Sequence, residues 1–225
     1  MRFGVVQFPG SCDERDAVAA CETVAGAEAV LLWHRDADLR GVDAVVIPGG
    51  FSFGDYLRVG AIAQFSPVMA SVRAFAEAGG PVVGICNGFQ VLCEAGLLPG
   101  ALLPNLHRRF VCRQLEIEVV SVTTPFTRDL VEGTVLSIPS KHTTGRFYAP
   151  EPLLTQLRDE GQVVFRYAPG ANPNGSLDDI AGVCNTERNV VGLMPHPEHA
   201  VDPLTGSDDA LGLFASLAQA VAAGV

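Results

Sequence analysis

Residues Pro81–Leu92 read PVVGICNGFQVL. An apolar run with β-branched members ends at Cys86, a turn follows at Asn87-Gly88, and Phe89 to Ala95 resumes as helix. The frame Gly84-x-Cys86-x-Gly88 has the spacing of the G-x-S-x-G nucleophile elbow, with sulfur replacing the hydroxyl. So sharp a strand-to-helix turn crowds the neighbouring backbone, and small residues two positions before and after relieve the clash. The following helix points its N-terminal dipole at the sulfur and favours thiolate. The same turn leaves the N–H of Asn87 free to meet a developing oxyanion. The plain alternative is a buried structural cysteine closing a strand, and the two flanking glycines weigh against it. Cys86 is the candidate nucleophile.

Upstream of this elbow the chain alternates between two periods. Phe3 to Phe8, Ala29 to Trp33 and Asp43 to Ile47 are short apolar runs, while Asp13 to Ala25 and Pro67 to Ala78 carry apolar residues at helical spacing. Strands that are apolar nearly throughout, separated by helices, imply a mostly parallel sheet covered on both faces. The right-handed crossover rule makes this a doubly wound α/β fold. The second half is richer in strands, at Leu115 to Val122, Thr134 to Ile138, Gln162 to Ala168, Ile180 to Cys184 and Val190 to Met194, with a closing helix from Asp208 to Ala223. Leu115 to Val120, LEIEVV, alternates as a half-exposed strand does, and Asn172-Pro173-Asn174-Gly175 is a turn signal. No boundary marks a second domain, so residues 1–225 are expected to form one.

A nucleophilic thiol needs a base. Of five histidines, at 34, 107, 142, 196 and 199, the one in Val190 to His199, VVGLMPHPEH, follows a strand directly. Prolines on either side of His196 exclude helix, and an extended segment puts Glu198 on the same side as the ring. Glu198 can then accept from one ring nitrogen while the other faces sulfur, giving a nucleophile–base–orienter relay. The His196/His199 pair raises a metal alternative. An extended, proline-flanked segment lacks the helical spacing of a zinc site, and no carboxylate–histidine cluster is evident to complete one, so no metal is expected. Pro48-Gly49-Gly50, after the third strand, forces a turn with outward-facing N–H groups; Gly50 is the candidate partner of Asn87 N–H in an oxyanion hole. Gln90, one turn into the elbow helix, can hold polar groups of a substrate.

Composition narrows the setting. The 225 residues are 48% hydrophobic and carry a formal net charge of −10, with 15 basic against 25 acidic residues. The densest basic cluster is Arg108, Arg109 and Arg113, too little for a nucleic-acid surface. No stretch approaches the ~20 apolar residues of a membrane helix, and the opening MRFGVVQFPG reads as strand and turn rather than a signal peptide. The six cysteines, at 12, 21, 86, 93, 112 and 184, form no CxxC pair; apart from Cys86 they are expected to be reduced, small, buried hydrophobes in a cytoplasmic protein.

These motifs together resemble the class I, triad-type glutamine amidotransferases, whose fold is flavodoxin-like. Within that class the similarity is greatest to the glutaminase subunits of phosphoribosylformylglycinamidine synthase. It runs almost end to end, through Val5 to Ser11, Ile47 to Ile62 (IPGGFSFGDYLRVGAI), Gly84 to Leu92, Gly96 to Gly100, Ile180 to Val183 and Met194 to Ala200 (MPHPEHA). The resemblance implies Cys86, His196 and Glu198 as the triad, Gly50 and Asn87 as oxyanion donors, and Phe51 and Gln90 beside the glutamine. It implies release of ammonia to a synthetase subunit, which uses ATP and magnesium to convert formylglycinamide ribonucleotide to formylglycinamidine ribonucleotide in purine biosynthesis. A small third subunit bridging the two is implied as well. No G-x-x-x-x-G-K-[ST] phosphate loop appears in this chain, which is expected to hold no cofactor itself.

Three departures stand out. Ser11-Cys12-Asp13 lacks the family's asparagine, His142-Thr143-Thr144-Gly145 replaces His-Gly-Glu-Gly, and His199 replaces the usual arginine. Rival readings are a DJ-1/PfpI-type cysteine hydrolase, a glutaminase serving another synthetase, and a non-catalytic subunit. The first usually has histidine directly after the cysteine, where this chain has Asn87. The second is opposed by GGFSFGDYLRVGAI alone, and the third by the intact Cys/His/Glu set.

Overall fold

The computed structural model describes residues 1–24 and 26–224. The first half runs β1 (Arg2–Gln7), α1 (Glu14–Glu22), β2 (Glu28–Trp33), β3 (Ala44–Ile47), α2 (Pro67–Glu77), β4 (Val82–Ile85), α3 (Asn87–Glu94). The second runs β5 (Ala101–Pro104), β6 (Val111–Val119), β7 (Val135–His142), β8 (Thr144–Tyr148), α4 (Glu151–Asp159), β9 (Val163–Tyr167), β10 (Ile180–Cys184), β11 (Val190–Leu193), α5 (Leu211–Ala222). Nine strands form one sheet in the order β2-β1-β3-β4-β11-β10-β9-β6-β7. The strands from β2 to β11 in that order are parallel, and from there to β7 each pairs antiparallel with its neighbour. The doubly wound α/β sheet and its extra C-terminal strands are therefore both present.

The apolar runs explain which strands are central. Every residue of β3, β4 and β11 is buried, because helices cover both faces there. The crossover from β1 to β2 runs opposite to that from β3 to β4, so right-handed connections put α1 and α2 on opposite faces. Helix α5 packs beside α1, and Arg73 of α2 donates to the Ala95 carbonyl just past α3. In β6, Leu115, Ile117 and Val119 are buried while Glu116 is exposed and Glu118 partly so, the alternation expected of LEIEVV.

Some boundaries and some elements differ from the sequence reading. Helix α1 ends at Glu22, before the expected Ala25, which lies outside the described residues. Strand β7 continues four residues beyond Ile138 despite Pro139, which an edge strand tolerates because its lost N–H has no ladder partner on the open side. Helix α4 and the separate β5–β8 ribbon were not anticipated. The cysteine expectation needs correction. Cys21 and Cys184 are buried, but Cys93 is only partly so, and Cys12 and Cys112 are exposed. Cys112 lies in the polar, exposed run Cys112–Gln114 of β6, and Cys12 lies in the loop after β1.

Strand order reverses about β1, and the loops that leave the C-terminal ends of β1, β3, β4 and β11 meet at one edge. Ligands of open α/β sheets bind at such a crevice.

Candidate active site

Cys86 occupies a backbone conformation that few L-residues adopt, φ 51° and ψ −102°, between the end of β4 and the first turn of α3. Such a residue costs about 1–3 kcal/mol and persists only where its surroundings enforce it. The enforcement is visible: Cys86 N–H donates to the Leu193 carbonyl at 2.8 Å, and Gln90 N–H to the Cys86 carbonyl at 3.2 Å. A Cβ on Gly84 would stand 2.5 Å from Leu92 Cδ1 and 2.7 Å from the Gly88 carbonyl carbon. A Cβ on Gly88 would stand 1.9 Å from the Ile47 carbonyl oxygen. Both elbow glycines are thus required by close approach, as their spacing indicates.

His196 follows β11 and is anchored by its N–H to the carbonyl of Pro139 on β7, at 2.8 Å. Its ring is 1% exposed, and Nδ1 lies 2.6 Å from Glu198 Oε1. With Nδ1–H donating to that carboxylate, Nε2 is left as a buried nitrogen with no hydrogen-bond partner among the described residues. Cys86 lines the same cleft, its Sγ 3.9 Å from the Lys141 carbonyl. Burial alone lowers the His196 pKa, but the charges of Glu198 and of a Cys86 thiolate, with their hydrogen bonds, raise it well above the ordinary range. The segment is not extended, as the prolines suggested. Pro197–His199 forms a short 3-10 turn, which suits Pro197 because its first position needs no N–H donor, and the turn brings Glu198 back to the ring.

Gly50 lines the same cleft, and its loop is tied to Asn87 behind it through Ser52. Gly50 has φ 146°, and a Cβ there would stand 2.6 Å from the Gly10 carbonyl and 2.7 Å from Cys12 N, so only glycine fits. The next two amides are occupied: Phe51 N–H donates to Gly10 O at 2.7 Å and Ser52 N–H to Asn87 Oδ1 at 3.2 Å. Gly50 N–H has no acceptor among the described residues. Asn87 is the first residue of α3, so its N–H has no intrahelical partner. The Asn87 side chain also donates to Gln90 Oε1 at 2.9 Å, and Gln90 Nε2 donates to the Thr144 carbonyl at 2.5 Å. Gln90 is consequently a buried brace between α3 and the start of β8, while Phe51 is half exposed on the rim. A cleft of about 150 Å³ is lined by Cys86, His196, Gly50, Phe51 and Gln90, every predicted site residue except Asn87 and Glu198, which lie just behind.

Two further residues at the cleft, Asp13 and Lys141, were given no role from the sequence. Asp13, ahead of α1, takes a hydrogen bond from Lys141 Nζ at 2.5 Å and lies 3.2 Å from His199 Nε2. Burial raises the Asp13 pKa, but His199, His196 and Lys141 together hold it well below the usual carboxylate range. Lys141 is the single lysine of the chain, a usable signal, whereas Asp13 reads from sequence as an ordinary helix cap. The expectation that no carboxylate–histidine cluster forms is corrected: Asp13, His196, Glu198 and His199 bring one donor atom each within 4.8 Å of one another. Asp13 closes that set from the far end of the chain, which local spacing around His196 does not reveal. Lys141 already supplies a cation to it. His142 lines the cleft from the other side, its ring nitrogens 3.1 Å from Ser140 Oγ and 3.0 Å from Asn174 Nδ2. Burial, then the His196 and His107 charges, push its pKa down to about 4, so it is neutral.

Residues 1–209 match the CobB/CobQ-like glutamine amidotransferase domain family. The chain belongs to that family. This amidotransferase is 58% identical over 217 residues to the phosphoribosylformylglycinamidine synthase subunit PurQ of Rubrobacter xylanophilus, covering 96% of the chain and 97% of the relative. It is 59% identical over 224 residues to PurQ of Mycobacterium tuberculosis, covering 99% of each. Among solved structures it resembles a chain of PurLQS from Thermotoga maritima, with a TM-score of 0.88, 40% identity and 97% coverage of both. No described helix of the amidotransferase is long and apolar enough to cross a membrane.

Proposed function

We infer that the chain is the glutaminase subunit of a phosphoribosylformylglycinamidine synthase, cleaving L-glutamine to glutamate and ammonia for a synthetase partner. The observation that carries the chemistry is the His196 ring, bonded to Glu198 at 2.6 Å through Nδ1, with its Nε2 unpartnered among the described residues in the cleft that Cys86 also lines. Identity to PurQ subunits over nearly the whole chain, and likeness to a chain of PurLQS, support the partner.

In the proposed cycle the Cys86 thiolate attacks the glutamine carboxamide, and its oxygen turns to the N–H groups of Gly50 and Asn87. One such donor is typically worth about 3–4 kcal/mol of transition-state stabilisation. The His196 imidazolium gives its proton to the departing ammonia, leaving a glutamyl thioester. His196 then takes a proton from the water that hydrolyses it. Phe51 and Gln90 shape the pocket. Asp55, whose Oδ1 is buried without a donor among the described residues and which lines the cleft, is placed to take the α-ammonium of glutamine.

ATP and magnesium belong, in this reading, to the synthetase, and a small bridging subunit completes a cytoplasmic assembly. The chain acts as one amidotransferase domain and needs no metal. Incubation with a glutamine-shaped electrophile tests the assignment. The adduct should map to Cys86 and be suppressed by glutamine. Labelling spread over exposed Cys12 and Cys112, with Cys86 untouched, would contradict it.

A further inference from the structure

Asp13 stands where it should cap α1, yet its side chain makes no capping hydrogen bond. A carboxylate at that position ordinarily accepts from the helix's free N–H groups. This one is 3% exposed and directed at the catalytic cluster instead. Its Oδ1 accepts from Lys141 Nζ, with His199 Nε2 lying 3.2 Å from that oxygen and 3.0 Å from Nζ, and its Oδ2 lies 3.6 Å from His196 Nδ1, the nitrogen that Glu198 engages. Gly49 makes the approach possible. A Cβ there would stand 2.4 Å from Asp13 Oδ2 and 2.7 Å from His196 Cε1. Gly49 lies outside the left-handed region, so space between these two side chains, not backbone conformation, is what glycine provides. Its carbonyl also accepts from the N–H groups of Cys12 and Asp13, at 3.1 and 3.3 Å, fixing the loop against β3.

We propose that Asp13 is a positioning residue for His196: a second carboxylate at Nδ1, clamped by Lys141 and His199, that holds the ring toward Cys86 and favours its protonated form. Its place in catalysis rests on the glutaminase reading above. The clamp divides the carboxylate's work, one oxygen tied down and the other facing the ring. The charged and titratable groups around His196 are Cys86 from the end of β4, Glu198 and His199 from the turn after β11, Asp13 ahead of α1, and Lys141 and His142 from β7. Glu198, Asp13 and a Cys86 thiolate favour the imidazolium, whereas the Lys141 ammonium opposes it.

The test is a side-chain NMR titration of histidine-labelled protein. Removing the Asp13 charge destabilises the imidazolium, so in Asp13→Asn the His196 midpoint should fall by roughly one pH unit. The alkaline limb of glutamine hydrolysis in the assembled complex should fall with it. A His196 midpoint unchanged in folded Asp13→Asn overturns the proposal. Should that variant not fold, Asp13→Ser decides by the same reading: a midpoint lowered by a similar amount supports the proposal, and an unchanged one overturns it. The titration uses no glutamine, so failure of the glutaminase reading shows separately, as absent hydrolysis by the wild-type complex.

Discussion

The carbonyl oxygen of Ile47 lies 1.9 Å from where a Cβ on Gly88 would stand, so the end of β3 rests directly on the first turn of α3. This contact fixes the loop that begins at Pro48, the proposed oxyanion loop, against the elbow that carries Cys86. Gly88→Ala should therefore destabilise the protein by at least about 1–3 kcal/mol, the usual cost of overpacking. Chemical denaturation should show the loss, and glutaminase activity should fall more than stability alone explains.

Glu198 is proposed to hold one tautomer of His196. Glu198→Gln keeps the shape but removes the charge that favours the imidazolium. Steady-state kinetics on the complex should show kcat lowered by about 10²–10⁴-fold, in the range of general acid–base contributions, with KM for glutamine little changed. A loss confined to KM would place Glu198 in binding instead.

Asp55 sits on strained backbone, at φ 55°, in a run where Phe53, Gly54 and Leu57 also have positive φ. Burial raises its pKa to about 6. Below that pH the carboxyl is neutral and can no longer pair with an ammonium, so KM for glutamine should rise as pH falls through about 6. Asp55→Asn should have the raised KM at every pH and lose this dependence. A KM flat across that range in the wild type would remove Asp55 from substrate recognition.

The elbow was legible because its constraint is local, glycines two positions from a cysteine. His196 and Glu198 were picked out by their place after a strand, but a 3-10 turn and not the extended segment read from the prolines brings them together. The parallel core was legible because strands buried on both faces are apolar throughout. Asp13, Lys141 and His199 were not, since three separate strand ends must converge before the cluster exists. Asp13 carries a local signature that points to helix capping, a role its side chain does not take. Helix α4, with only Leu154 and Leu157 buried, offers too short an apolar stripe to stand out. The β5–β8 ribbon, from strands of four and five residues, is a product of tertiary pairing rather than of pattern.

The most direct test separates ammonia production from its use. Cys86→Ala should assemble with the synthetase and accept free ammonium at the wild-type rate, while glutamine-dependent synthesis is lost. Glutamine-dependent synthesis retained in that variant would contradict the account.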